Sequence, residues 1–233
     1  MQSIPLHPKT GKAAGIDLGI ECFAAVSNGE RVENPKHYRA AESELKRAQR
    51  TVARRKNKRS NRRRKAINIL ARKHLHIKRQ RADFHHKTAL DVIRRYDHIT
   101  IEDLNVCGMV RNHHLAKSIS DAGWNQFVRI LTSKLRMLAE VILVNPAYTS
   151  QDCSQCGSRV RKSLALREHR CINCGFVAHR DHNAAINIQR GHGFGDGLRS
   201  PCEPRRIPHY SRSSGLVGEV SIKGIIGRVH SDF

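Results

Sequence analysis

The sequence predicts a mixed α/β fold, a sheet covered by helices, interrupted by a basic helical insertion and a small four-cysteine ribbon. Three observations predict it. Short apolar or β-branched runs near residues 13–27, 98–106 and 141–146 alternate with stretches of helical periodicity. Residues 42–82 are rich in Lys, Arg, Ala, Leu and Gln and hold no Gly or Pro. Two C-x2-C pairs, Cys153/Cys156 and Cys171/Cys174, stand with 14 residues between them.

Taken in order, residues 13–27 read as a strand, a tight turn at Gly19 and a second strand. Asn28-Gly29 is a hairpin signal, because both residue types tolerate positive φ. A third strand starts at Arg31 and stops at Pro35. Two long helices follow, breaking near 57–61. Their apolar spacing runs through Ile67, Leu70, Ala71, His74, Leu75 and Lys78, and again through Leu90, Ile93 and Arg94. Residues 98–106 read as a buried strand and 111–121 as a polar loop. Trp124, Phe127, Val128, Leu131, Leu135 and Leu138 mark an amphipathic helix over 122–139. Residues 141–146 form another strand, 158–170 a short hairpin between the cysteine pairs, and 181–190 a last helix. From 191 to 233 the composition is that of a disordered tail, with a weak strand signal at 220–229.

The charge narrows the partners. The chain has 233 residues, 43 Lys and Arg against 20 Asp and Glu, and a formal net charge of +23. Such an excess destabilises a compact fold unless it is segregated or meets a polyanion, and so points to nucleic acid. The excess is local: residues 46–82 hold seventeen Lys and Arg and not one Asp or Glu. Arg54, Arg55, Lys58, Arg62, Arg63, Arg64, Lys65 and Arg72 are the candidates for phosphate contact, giving charge readout without a sequence code. A solvated helical pair is the plainer reading of the same residues. With 5% aromatics, wide base-stacking platforms are not expected. The first residues lack the apolar stretch of a signal peptide, and no aliphatic run is long enough to span a bilayer.

Seven cysteines, an odd number, argue for a reducing cytosol rather than a disulfide framework. Cys22 and Cys107 read as small buried thiols, and Cys202 carries no signal. Cys153, Cys156, Cys171 and Cys174 read as a closed tetrahedral zinc shell, structural rather than catalytic. Each pair precedes a glycine, Gly157 or Gly175, that lets the chain turn its N–H groups toward the sulfurs. Incidental cysteines and a redox C-x-x-C are the alternatives.

Three carboxylates occupy suggestive places. Asp17 sits mid-strand among apolar residues, Glu102 ends an otherwise apolar strand, and Asp181 opens a helix. A buried carboxylate is costly unless a cation meets it. Two or three converging carboxylates would bind Mg²⁺ or Mn²⁺ and serve phosphodiester hydrolysis. Singly, Asp181 is equally a helix N-cap and Glu102 an ion-paired surface group. Asp103 is the structural neighbour, since adjacent strand positions face opposite ways.

In this order GIDLG (15–19), IEDLNV (101–106), TSQDCSQCG (149–157), CINCG (171–175) and DHNAAINI (181–188) resemble the TnpB-type transposon proteins, the zinc-ribbon "OrfB transposases". NPKHYRAAESELKRAQR (34–50) and KSISDAGW (117–124) add to the likeness, which covers about residues 13–190. The resemblance implies a RuvC-like nuclease on an RNase H-type fold over residues 1–190, with a basic insertion at 42–95 and a zinc ribbon at 149–178. It implies catalytic carboxylates at Asp17, Glu102 and Asp181, holding Mg²⁺ or Mn²⁺. It implies cleavage of a DNA target directed by a guide RNA in a prokaryotic cytosol. Family members carry a substantial region before GIDLG, whereas 14 residues precede Gly15 here. The resemblance therefore implies a truncated member, whose alternative function is that of a cleavage-deficient nucleic-acid-binding remnant. His179 stands where the family commonly has an acidic residue.

Overall fold

The computed structural model describes residues 10–135, 140–163 and 166–191. The expected tail from 192 onward, Cys202, Leu138 and the weak strand signal at 220–229 lie outside the described residues.

Five strands form one sheet in the order β3-β2-β1-β4-β5. Strands β1 (Ala13–Leu18), β2 (Cys22–Val26) and β3 (Arg31–Glu33) are an antiparallel meander. Strands β4 (His98–Glu102) and β5 (Glu140–Val144) extend it in parallel from β1. A parallel pairing needs a long crossover. Two supply it: α1 (His37–Arg54) with α2 (Asn61–Arg95), and α3 (Val106–Met109), α4 (His113–Ala122) and α5 (Trp124–Leu135). Helix α6 (Arg180–Gln189) follows the ribbon strands β6 (Glu168–Arg170) and β7 (Val177–His179).

Strand alternation sorts the sheet into two faces. Ala14, Ile16 and Leu18 of β1 join Ile99 and Ile101 of β4 in a core with Ala89, Val92 and Ile93 of α2 and Trp124, Phe127 and Leu131 of α5. Phe127 is fully buried and meets Phe23 edge-to-face at 5.1 Å. Each such side chain contributes roughly 1.5–3 kcal/mol by burial. The intervening residues face α6. A Cβ on Gly15 would lie 2.1 Å from the Ala185 carbonyl oxygen, so the first glycine of GIDLG lets α6 seat directly on β1.

Several expectations are corrected. At the β2–β3 turn only Gly29 takes a positive φ, of 94°. Asn28 instead turns the chain with its side chain, whose Oδ1 accepts the Glu30 N–H at 2.9 Å. The strand over 98–106 ends at Glu102, and a short helix begins at Val106. The polar loop over 111–121 is the helix α4. Asn112 caps it by accepting the His114 N–H, and Ile119 and Ala122 are buried on its inner face. Helix α1 starts at His37, ahead of the expected 42.

The helical period in the basic segment is right, but its inner face is not the predicted stripe. Its buried positions in α2 are Ala66 and Ile77, three helical turns apart, whereas Leu75 is 42% exposed and His74 and Lys78 are exposed; further along α2, Ile93 is buried as expected, with His85, Thr88, Ala89 and Val92, while Leu90 and Arg94 are exposed. Cys107 is exposed, while Cys22 is buried as expected. Among the described residues of 158–170 no two strands pair with each other. The paired strands β6 and β7 instead flank the second cysteine pair, and Asp152 and Arg159 form an isolated bridge beside the first.

Candidate functional site

The predicted carboxylates come from β1, β4 and the start of α6. The β1–β4 register pairs Gly15 with Thr100 and Ile16 with Ile101. One step further along both strands stand Asp17 and Glu102, on the face covered by α6. Asp17 is partly buried and Glu102 is buried. Burial pushes the Asp17 carboxyl well above the usual carboxylate range. The charges of Glu102 and Asp181 push it further, and Arg180 pulls it back. Burial also pushes Glu102 up to about 6, against a hydrogen bond from the Thr149 hydroxyl, which donates to Oε1 at 2.6 Å. Glu102 and Asp181 are thus close enough to Asp17 to raise its carboxyl, in surroundings that penalise the charges of Asp17 and Glu102.

The capping alternative for Asp181 is removed by its neighbour. His179 is the N-cap, its Nδ1 accepting the Asp181 N–H at 3.3 Å. The Asp181 carboxylate is left to face Arg180 at 3.7 Å and His179 at 3.8 Å. Glu102 makes its contact with Thr149 and is no ion-paired surface group. Asp103 is exposed, as expected for a neighbour on the opposite face. Lys162 adds a further cation, donating to His169 at 2.6 Å. Burial and Arg180 push it down to about 8.

The four cysteines converge. Their sulfurs lie within 4.8 Å of one another, the only group of metal-ligating side chains so close among the described residues. Cys153 to Cys174 is 3.7 Å and Cys156 to Cys171 is 3.6 Å. A tetrahedral shell with metal–sulfur bonds of about 2.3 Å has edges of about 3.8 Å, so the thiols fit a metal ion of zinc's size. Both pairs form the same turn. Gly157 N–H donates to the Cys153 carbonyl with φ 76°, and Gly175 N–H to that of Cys171 with φ 75°.

Sequence reasoning missed the residues that join the two sites. Asn183 and Asn187 lie one turn apart on the buried face of α6. The Asn183 side chain accepts the Ser154 N–H at 2.9 Å and donates to the Asp152 carbonyl at 2.8 Å. Asn187 donates to the carbonyls of Thr149 at 2.8 Å and Asp152 at 2.7 Å. Two asparagines at i and i+4 on a face otherwise made of Ala184, Ala185 and Ile188 were the available signal.

The predicted phosphate contacts divide. Arg54, Lys58, Arg62, Arg64, Lys65 and Arg72 are exposed on α1, α2 and the loop between them. Arg63 is instead tied to the end of α1, donating to the carbonyls of Val52 at 2.9 Å and Arg55 at 2.7 Å. Arg55 donates back to the Arg62 carbonyl. No helix of the described residues is long and apolar enough to cross a membrane.

The chain is similar to known proteins over most of its length. A model of the OrfB family of IS605-type elements, described as a probable transposase, matches residues 1–113. A model of the TNB domain of Cas12f1-like proteins matches residues 124–188. A putative RNA-guided DNA endonuclease of Streptomyces pristinaespiralis is 38% identical over 206 residues, covering 85% of this chain and 51% of the relative. The putative RNA-guided DNA endonuclease InsQ of Escherichia coli K12 is 34% identical over 203 residues, covering 80% of this chain and 50% of its own length. The chain spans about half the length of these curated relatives. The fold matches a chain in the cryo-EM structure of a Cas12f1–sgRNA–target DNA complex with a TM-score of 0.54 at 20% identity. That match covers 81% of this chain and 52% of the other. With the two family models matched one after the other along the chain and relatives of the same kind aligned over 80–85% of it, the chain belongs to the OrfB, or TnpB-like, family of transposon proteins.

Proposed function

We propose that the chain forms the RuvC-like, RNase H-type core of an RNA-guided DNA endonuclease, with Asp17, Glu102 and Asp181 as its catalytic carboxylates. The observation that carries this reading is the meeting of the three carboxylates at Asp17, which is held protonated more readily by burial and by the charges of Glu102 and Asp181. A divalent cation relieves that kind of stress, and the all-oxygen donor set suits Mg²⁺ or Mn²⁺. Bound there, such an ion would supply an activated water and stabilise the leaving oxygen of a phosphodiester.

The protein's own groups do the rest. Thr149 fixes one oxygen of Glu102, leaving the other to turn toward the ion. Arg180 and Lys162 place positive charge beside Asp181, where a phosphate would otherwise meet three anions. The four thiols hold a structural zinc in this reading, because a closed four-sulfur shell leaves no open position for substrate. The exposed cations of α1 and α2 would grip the phosphates of a guide RNA or its DNA hybrid, as the names of the relatives suggest.

Replacing Asp17, Glu102 or Asp181 with Ala is expected to abolish Mg²⁺-dependent DNA cleavage while nucleic-acid affinity stays nearly unchanged. Cleavage surviving in all three variants would refute the site. Cleavage absent from the parent chain, with binding retained, would favour the cleavage-deficient remnant.

A further inference from the structure

The turn that delivers Thr149 to Glu102 also carries an aromatic ring that the carboxylate chemistry does not use. Tyr148 has φ 67°, one of two non-glycine residues with positive φ among those described. That conformation is unfavourable for a side chain with a Cβ and marks a position held for a reason other than local preference. Its carbonyl is fixed by the N–H groups of Gln151 at 2.8 Å and Asp152 at 2.9 Å. The residue is nevertheless 49% exposed. The Arg159 guanidinium lies 3.7 Å from the ring centroid. Arg159 is in turn anchored by its Nε donating to the Asp152 Oδ1 at 2.8 Å. One face of the ring is therefore backed by a fixed cation, while about half of the residue stays open to solvent. One residue further along, the Thr149 hydroxyl holds Glu102 at 2.6 Å.

We propose that Tyr148, backed by Arg159, is a stacking platform for one unpaired base of the DNA strand led to the carboxylates. An open aromatic face accepts any base, and a guanidinium on the opposite face adds positive charge where the backbone passes. The composition excludes a broad aromatic surface, but a single ring suffices to hold one nucleotide next to the one being cut. The identity of the strand rests on the proposed nuclease function; the stacking itself does not.

The test compares two single strands of equal charge, about twelve thymidines against an abasic tract of the same length. Binding to the full chain is measured in buffer without Mg²⁺ or Mn²⁺. Tyr148→Gly is the informative variant, because glycine adopts φ 67° freely and so removes the ring while holding or raising Tm. The parent should prefer thymidines over the abasic tract by roughly tenfold, the scale of one stacked base. Tyr148→Gly should lose that preference by weakening on thymidines alone, and Tyr148→Phe should keep it. A Tyr148→Gly protein that retains the parent's preference, or that weakens equally on both strands, overturns the proposal. Because no cleavage is scored, this result and that of the carboxylate variants can fail independently.

Discussion

Asn187→Leu tests the joint between the ribbon and the carboxylate site most directly. The substitution keeps the number and branching of side-chain heavy atoms and removes both amide donors. Asn187 is 7% exposed and Thr149 4%, so water cannot readily replace what is lost. The Thr149 carbonyl loses the Asn187 hydrogen bond, and that of Asp152 keeps one from Asn183. An orphaned buried acceptor costs about 1–3 kcal/mol, and a lost second bond about 1 kcal/mol. Greater burial of apolar surface by Leu offsets part of this, leaving roughly 2–3 kcal/mol. For a chain of this size that corresponds to a fall in Tm of roughly 5–10 °C. Asn187→Asp should cost more, because it turns a carboxylate toward two carbonyl oxygens. Thermal melts of the full chain supplied with zinc read both. If both variants melt within about 1 °C of the parent, the two carbonyls do not depend on this amide, and the joint does not exist.

Four further outcomes follow from individual contacts. Gly15→Ala should destabilise by roughly 3 kcal/mol or more in the same melts, since the new Cβ meets backbone of α6 rather than a yielding side chain. Cys171→Ser, or a chelator, should remove one bound zinc per chain by metal analysis and unfold the ribbon; a wild-type chain without zinc would refute the assignment. Neutralising Arg62, Arg64 and Lys65 should flatten the salt dependence of nucleic-acid binding, whereas Arg63→Gln should mainly lower Tm by freeing the end of α1. His85 is buried, donates from Nε2 to the Ala122 carbonyl at 2.9 Å, and is pushed by burial from 6.5 down to about 4. The unfolded chain therefore takes up its proton first. The stability that His85 supports is complete above about pH 6.5 and falls by roughly 3 kcal/mol as pH drops to 4, a slope that His85→Phe should remove.

The parts legible in the sequence were those whose signal is local. Alternation placed Asp17 and Glu102 in strands, and the C-x2-C spacing placed four sulfurs together, because each pattern is fixed within a few residues. The face of α2 was not legible. Ile67, Leu70 and Leu75 are more apolar than Ala66 and Ile77 on the other side, and only the packing partners of α2, α1 with its buried Leu45 and α5, decide which side is covered. Helix α4 was hidden for a similar reason. Its Asn, His, Lys and Ser read as loop, while the Asn112 cap and a single buried turn at Ile119 and Ala122 suffice to form it against α1 and α3. The ribbon hairpin was misplaced because the intervening length between the cysteine pairs matters less than the turn that each pair makes.

The asparagines give these observations a mechanical sense. Asp17, Glu102 and Asp181 come from segments separated by the basic helices and by the ribbon, each free in principle to move its carboxylate. Two devices restrain them. Gly15 lets α6, which opens with Asp181, press on β1, which carries Asp17. Asn183 and Asn187 bind the entrance of the ribbon, and Thr149 in that entrance holds Glu102. The Ser154 N–H that Asn183 accepts lies within the first cysteine turn. Loss of the metal would loosen that turn, then the Asn183 contact, then the strand end that carries Thr149. On this reasoning a chelated protein should lose divalent-ion binding at the carboxylates as well as its ribbon. Mn²⁺ affinity measured before and after zinc removal decides the matter. Unchanged affinity would mean that the carboxylates are held by the sheet and Gly15 alone.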